Sequence, residues 1–205
     1  MEKEYNFFCY LNELQKTKRY ASYDKVFWES VSEHTYKMIV MIDKLFDLLN
    51  LDLDYRKCIK LAIYHDFCEV DMKEDLDAYE VSKDKNMQKK KDEMEDKKML
   101  EISKKYDCDD IYNIFKEFED QITLESKFVK AVDRIETKIR CISIEEKELD
   151  HLDFTALYCD TSVRNFPQII PFYKEVKKRM KERYETAGWP WKEEYDAIFK
   201  ECEEE

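Results

Sequence analysis

The chain has 205 residues and a mass of 25.1 kDa, is 43% hydrophobic and 41% charged, and carries a net charge of −12 at pH 7. That length suits one compact domain with a sizeable core, and a single Gly with three Pro excludes turn-rich sandwiches, barrels and glycine-loop nucleotide folds, leaving an all-α protein. The acidic balance excludes general nucleic-acid binding, because no surplus of Lys and Arg exists to neutralise a phosphate backbone, but it does not exclude a small anionic substrate.

Phe7, Phe8, Leu11 and Leu14 have the 3–4 spacing of an amphipathic helix that is expected to end near Lys18. Ser30 and Glu33 form a capping-box pattern ahead of the stripe Met38, Ile39, Ile42, Leu45, Phe46 and Leu49, which predicts a second helix. After a turn over 50–54, a helix through Cys58, Ile59, Ala62 and Ile63 reaches His65-Asp66. The stretch from Asp71 to Tyr79 reads as acidic and irregular. From Ser82 to Lys105, alternating Lys and Glu/Asp predict a long solvated helix laced by i,i+4 pairs. Ile111, Ile114, Phe115 and Phe118 predict a short helix, and Phe128, Val129, Val132, Ile135, Ile139 and Ile142 a strongly periodic one of about five turns. Residues 147–165, His151 included, read as a loop. Pro167 to Ala187 reads as a helix stopped at Gly188-Trp189-Pro190, with one more short helix before the acidic tail Glu203-Glu204-Glu205.

The longest apolar run, around Met38–Met41, is far short of the about 20 residues of a membrane span. The acidic start Met1-Glu2-Lys3-Glu4 lacks the order of a signal peptide. Seven cysteines (Cys9, Cys58, Cys68, Cys108, Cys141, Cys159, Cys202), never spaced Cys-x-x-Cys, read as reduced thiols. The expected location is the cytoplasm, with no membrane and no nucleic acid among the partners.

Candidate chemistry concentrates on two of the three histidines. His34 lies in the first turn of its helix, His65-Asp66 ends another, and Asp133 lies on the periodic helix. Facing helices of a bundle can bring these side chains into one core. Two neutral nitrogens and two carboxylates cancel the charge of a divalent ion and, at an octahedral metal, leave two positions open, which suits Mn, Co, Fe or Zn and phosphate-ester hydrolysis. Glu69 follows His65 by four residues, so on a continuing helix it shares a face with it and is placed as a general base toward the attacking water. On spacing alone, a core histidine and an Asp that caps a helix end account for the same residues.

The order Ser-Glu-His, His-Asp with Glu three residues beyond, then Ala-x-Asp resembles the HD-domain phosphohydrolases, and most closely their bacterial 5'-deoxynucleotidase branch. The likeness includes Phe7-Phe8, Leu11, Leu14, Arg19-Tyr20, Val31-Ser32-Glu33-His34, Lys130-Ala131-Val132-Asp133 and Cys141, so its motif-bearing part is residues 6–142. It implies one HD-domain helical bundle over 1–205, with helices of 143–205 packed on the motif-bearing part, and a homodimer. The metal ligands it implies are His34, His65, Asp66 and Asp133, with one divalent transition metal. Catalysis falls to Glu69 and Asp66, and substrate contact to Arg19, Tyr20 and Asp75. The implied reaction removes the 5'-phosphate of a (deoxy)nucleoside monophosphate; the alternatives are an HD hydrolase of a triphosphate, alarmone or cyclic nucleotide, and an inactive helical interaction protein. Two departures stand out: Tyr20 occupies a position where the enterobacterial enzymes typically have Trp, and Lys73-Glu74-Asp75 lacks the family's Gly-Asp and its spacing.

Overall fold

The computed structural model describes residues 1–19, 29–70, 78–143 and 151–201; Tyr20, Asp75, most of the acidic 71–79 stretch, Cys202 and the terminal glutamates lie outside them. The elements are helices α1 (Glu2–Leu14), α2 (Val31–Leu48), α3 (Tyr55–Tyr64), α4 (Ala78–Lys83), α5 (Lys85–Tyr106), α6 (Asp109–Asp120), α7 (Leu124–Ile142), α8 (Leu152–Leu157), α9 (Asp160–Asn165), α10 (Ile170–Ala187) and α11 (Ala197–Glu201). Two-residue strands β1 (Lys18–Arg19) and β2 (Glu29–Ser30) pair antiparallel.

The central element is α7. Almost every side chain from Phe128 to Lys138 on it is buried, as expected of a helix enclosed by others rather than resting on one face. It packs against α2, α3, α6, α9 and α10, and the main core joins Met38, Ile42, Phe128, Val132, Val163, Phe166 and Tyr173 from four helices and the link before α10. A second core, of Leu14, Val31, Phe67, Val70, Met99 and Phe115, seats α1, α5 and α6 around the segment that follows α3. Side-chain caps start the helices where the sequence places Ser, Thr and Asp: Ser30 Oγ accepts from Glu33 N at 3.2 Å while Ser30 N donates to Glu33 at 2.7 Å, and Thr123 and Asp54 cap α7 and α3. Gly188, at φ +74°, closes α10 in the left-handed conformation that costs a residue without Cβ least.

Three expectations are corrected. Helix α1 stops at Leu14, where its apolar stripe stops, and Lys18-Arg19 instead joins β2, with Val31 N donating to Thr17 O at 3.0 Å. The loop expected over 147–165 contains α8 and α9: Leu152, Ala156, Cys159, Val163 and Phe166 repeat at helical spacing and all pack into the cores. The charged stretch is not one fully solvated helix, because Asp84 caps a new start between α4 and α5, and Glu95, Met99, Ile102 and Ser103 turn inward. No helix among the described residues is long and apolar enough to cross a membrane, and the six described cysteines carry no disulfide.

Candidate metal centre

His34, His65, Asp66 and Asp133 arrive from three elements. The capping box fixes the start of α2, so His34, one turn in, is driven into the core, where it is fully buried. His65 is the last residue of the α3 spiral and Asp66 begins a turn with φ −107°. Asp133 sits midway along α7, almost fully buried. One nitrogen each from His34 and His65 and one oxygen from Asp133 lie within 4.8 Å of one another. His34 Nε2 is 3.2 Å from Asp133 Oδ1 and 3.9 Å from Asp66 Oδ2, and His65 Nε2 is 3.0 Å from Asp66 Oδ2.

The orientation of the rings decides what this cluster can accept. His65 Nδ1 donates to the Ala62 carbonyl at 2.8 Å, which turns Nε2 toward the cluster. That buried Nε2 makes no hydrogen bond, although a carboxylate oxygen stands 3.0 Å away. A buried ring nitrogen with no hydrogen bond, gathered with the second histidine and with carboxylate oxygens, is a nitrogen-and-oxygen donor set, so the residues present fit a divalent metal.

His34 is oriented by a residue that the sequence reading missed. Its Nδ1 donates to Glu136 at 2.6 Å, turning Nε2 toward Asp133 and His65, the carboxylate-histidine arrangement that sets the tautomer of metal-binding imidazoles. Glu136 is held in turn by Lys37 at 2.7 Å, and Lys37 also pairs with buried Glu29. The available signal was the i,i+3 relation of Asp133 and Glu136, which puts two carboxylates on one face of an otherwise apolar helix. Burial and the Arg19 guanidinium favour neutral His34, but hydrogen bonds to Asp133 and Glu136 outweigh them and push it up to about 9. Against the burial penalty, the His34 hydrogen bond and the cations Lys130 and Arg134 hold Asp133 well below the usual carboxylate range. Glu136→Gln preserves shape and removes the charge that orients His34, so metal affinity is expected to fall about 10–100-fold; calorimetric titration with Mn²⁺ checks this, and an affinity within twofold of the parent contradicts the orienting role.

Glu69 is not on a continuation of α3, which corrects the shared-face expectation. The helix ends at Tyr64 and residues Phe67–Glu69 form a 3₁₀ turn. Phe67, Cys68 and Val70 are all buried in the second core, a nearly consecutive set that no single α-helical stripe can bury, and Tyr10 Oη pins the turn by donating to Phe67 O at 3.2 Å. Glu69 nonetheless lines the same cavity, of about 580 Å³, as Arg19, His65, Asp66 and Asp133. Burial and then the negative charge of Asp66 push its carboxyl up to about 8. Arg19, delivered by β1, pairs directly with Asp66 Oδ2, and burial notwithstanding, His65 and Arg19 hold Asp66 below the usual range. Lys91, Lys130 and Arg134, none of which the sequence reading named as site residues, add positive charge to the cavity wall. At its rim, oxygens of Asp92, Glu95 and Glu119 also lie within 4.8 Å of one another.

The HD domain family model matches residues 11–169. The 5'-deoxynucleotidase HDDC2 of Xenopus laevis is 35% identical over 121 residues, 58% of this chain and 57% of that protein, so the chain spans little more than half the length of that relative. The 5'-deoxynucleotidase HDDC2 of Danio rerio is 29% identical over 164 residues, 78% of each chain. Among solved structures, a "predicted metal-dependent phosphohydrolase" from Magnetospirillum magnetotacticum MS-1 superposes with a TM-score of 0.69 at 15% identity, covering 92% of this chain and 95% of that one; at that identity the likeness concerns the fold.

Proposed function

The chain belongs to the HD domain family, and from that premise we propose that it is a metal-dependent phosphohydrolase that releases inorganic phosphate from (deoxy)nucleoside 5'-monophosphates. The observation that carries this reading is the buried cluster of His34, His65 and Asp133, with Asp66 Oδ2 beside it at 3.0 Å from His65 Nε2 and 3.9 Å from His34 Nε2. The names of the relatives, 5'-deoxynucleotidases, support the substrate class.

His34 and His65 through Nε2, with Asp66 and Asp133, would hold the ion, of the class Mn, Co, Fe or Zn. When bound, such an ion polarises a phosphoryl oxygen and lowers the pKa of a coordinated water. Glu69 takes the proton of the attacking water at its carboxylate as the new P–O bond forms and the bond from phosphorus to the 5'-oxygen breaks, and the proton then serves the leaving 5'-alkoxide. Arg19 offers a planar fork of N–H donors to the phosphate and stays charged throughout. Lys130 and Arg134, 3.9 and 4.0 Å from Asp133, counter negative charge developing on the phosphoryl oxygens. In an acidic chain, this local gathering of cations makes an anionic ester welcome. Tyr20 and Asp75 complete the proposed substrate contacts from the sequence likeness, and a homodimer in the cytoplasm completes the proposed setting.

The test is a panel of phosphate esters assayed with Mn²⁺ and Co²⁺. Phosphate release from dAMP or dGMP is expected. Pyrophosphate or triphosphate release from triphosphates or alarmones, with monophosphates untouched, would replace the proposed substrate class. Under about 0.1 equivalent of metal, unrestored on addition and without hydrolysis, would point to an interaction protein instead.

A further inference from the structure

The α8–α9 segment has two faces. Ala156, Cys159, Val163 and Phe166 are completely buried in the cores. The other stripe, Phe154, Tyr158, Ser162 and Asn165, follows the same helical spacing and lines the cavity that holds Asp66 and Asp133. Among the described residues, Phe154 joins none of the apolar cores and stands half-buried on the wall of a polar cavity, while Tyr158, four residues on, also packs against the main core.

The two rings connect directly to the metal centre. Arg134 is 4.0 Å from Asp133, its guanidinium lies 4.5 Å from the Tyr158 ring centre and bonds the Tyr158 hydroxyl, and the Tyr158 and Phe154 ring centres are 5.2 Å apart. This succession leads away from the carboxylates in the sense in which a nucleotide leads from phosphate to base. Among the described residues Phe154 meets two rings at steep angles, 62° to Tyr158 and 67° to Tyr79, so neither is a parallel stack. Tyr79 differs: the His151 ring lies 3.4 Å from its centre at 13° and Lys83 Nζ lies 3.4 Å from the same centre. Two bodies so close to one centre cannot share a face, so Tyr79 is already sandwiched and acts as a buttress behind Phe154.

We propose that Phe154, backed by Tyr79 and Tyr158, is the wall on which the nucleobase of the substrate stacks, with Ser162 and Asn165 of α9 supplying donors and acceptors to the base edge. This assignment rests on the nucleotide-hydrolase reading above and deepens it. Every base has a π face, so such a wall accepts purines and pyrimidines alike, with preference left to the polar groups.

The experiment compares two non-hydrolysable methylenephosphonate analogues, of dAMP and of 2-deoxyribose 5-phosphate, by calorimetry on the metal-loaded chain. The parent is expected to bind the analogue carrying a base at least about tenfold more tightly. Phe154→Ala is expected to shrink that preference by about tenfold, and Phe154→Trp to restore it; in turnover of dAMP the loss falls mainly on KM rather than kcat. A preference unchanged in Phe154→Ala, or an equal loss for both analogues accompanied by a fall in Tm, overturns the assignment. So does a parent indifferent to the base. If the parent shows the preference and Phe154→Ala loses it, but neither natural ester is hydrolysed, the wall stands and the proposed reaction falls.

Discussion

Replacing Asp133 with Asn is expected to abolish both metal retention and phosphate release, with kcat/KM lowered by about 10³-fold or more, the worth of several kcal/mol of cation-dependent stabilisation. The substitution is nearly isosteric and keeps one oxygen at 3.2 Å from His34 Nε2, but it removes the charge that completes neutralisation of a divalent ion. In the metal-free protein the ionised Asp133 is held by the His34 hydrogen bond and by Lys130 and Arg134, so the metal-free variant is expected to melt below the metal-free parent. Added Mn²⁺ should raise the Tm of the parent by linkage and leave that of the variant unmoved. Thermal shift with and without metal checks this, and a variant that still gains stability from Mn²⁺ contradicts a ligand role for Asp133.

Glu69→Gln is expected to keep the metal and slow turnover about 10²–10⁴-fold, the usual contribution of a general base. The amide fits the same volume on the Phe67–Glu69 turn but has no basic carboxylate to receive a proton. Burial and then the negative charge of Asp66 raise the proton affinity of the parent carboxyl, which makes its carboxylate form a stronger base toward water. Steady-state kinetics on dAMP together with metal analysis separate the two effects. Full activity in the variant would remove Glu69 from the reaction, and loss of metal alongside activity would make it a ligand instead.

Most of the helical order was readable because the signals were local and strong. Ser30-x-x-Glu33, Thr123 and Gly188 mark helix ends by chemistry that operates over three or four residues, and the α7 stripe is periodic over its whole length. The candidate cluster of His34, His65, Asp66 and Asp133 was legible as a pattern of residue types in order. What was not legible depends on tertiary context. The turn after α3 exists because Phe67, Cys68 and Val70 are all claimed by the second core, and no residue in His65-Asp66-Phe67 demands a helix stop by itself. The pairing of Arg19 with Asp66 requires β1 and β2 to meet, and two-residue strands leave no alternation to read. Helices α8 and α9 were readable and overlooked: the Leu152 to Phe166 stripe has full helical spacing, but Asp, Thr, Ser and Asn between its members look like loop composition. Glu136 was overlooked for a different reason, since a carboxylate on a buried face looks like a violation until His34 and Lys37 are there to hold it.

The central claim is that one cation sits among His34, His65, Asp66 and Asp133. Anomalous diffraction from crystals grown with Mn²⁺ tests it directly. A single strong peak at bonding distance, about 2.0–2.3 Å, from both Nε2 atoms and from oxygens of Asp66 and Asp133 is expected. A peak confined to Asp92, Glu95 and Glu119, or no peak at all from protein with saturating Mn²⁺, would contradict it.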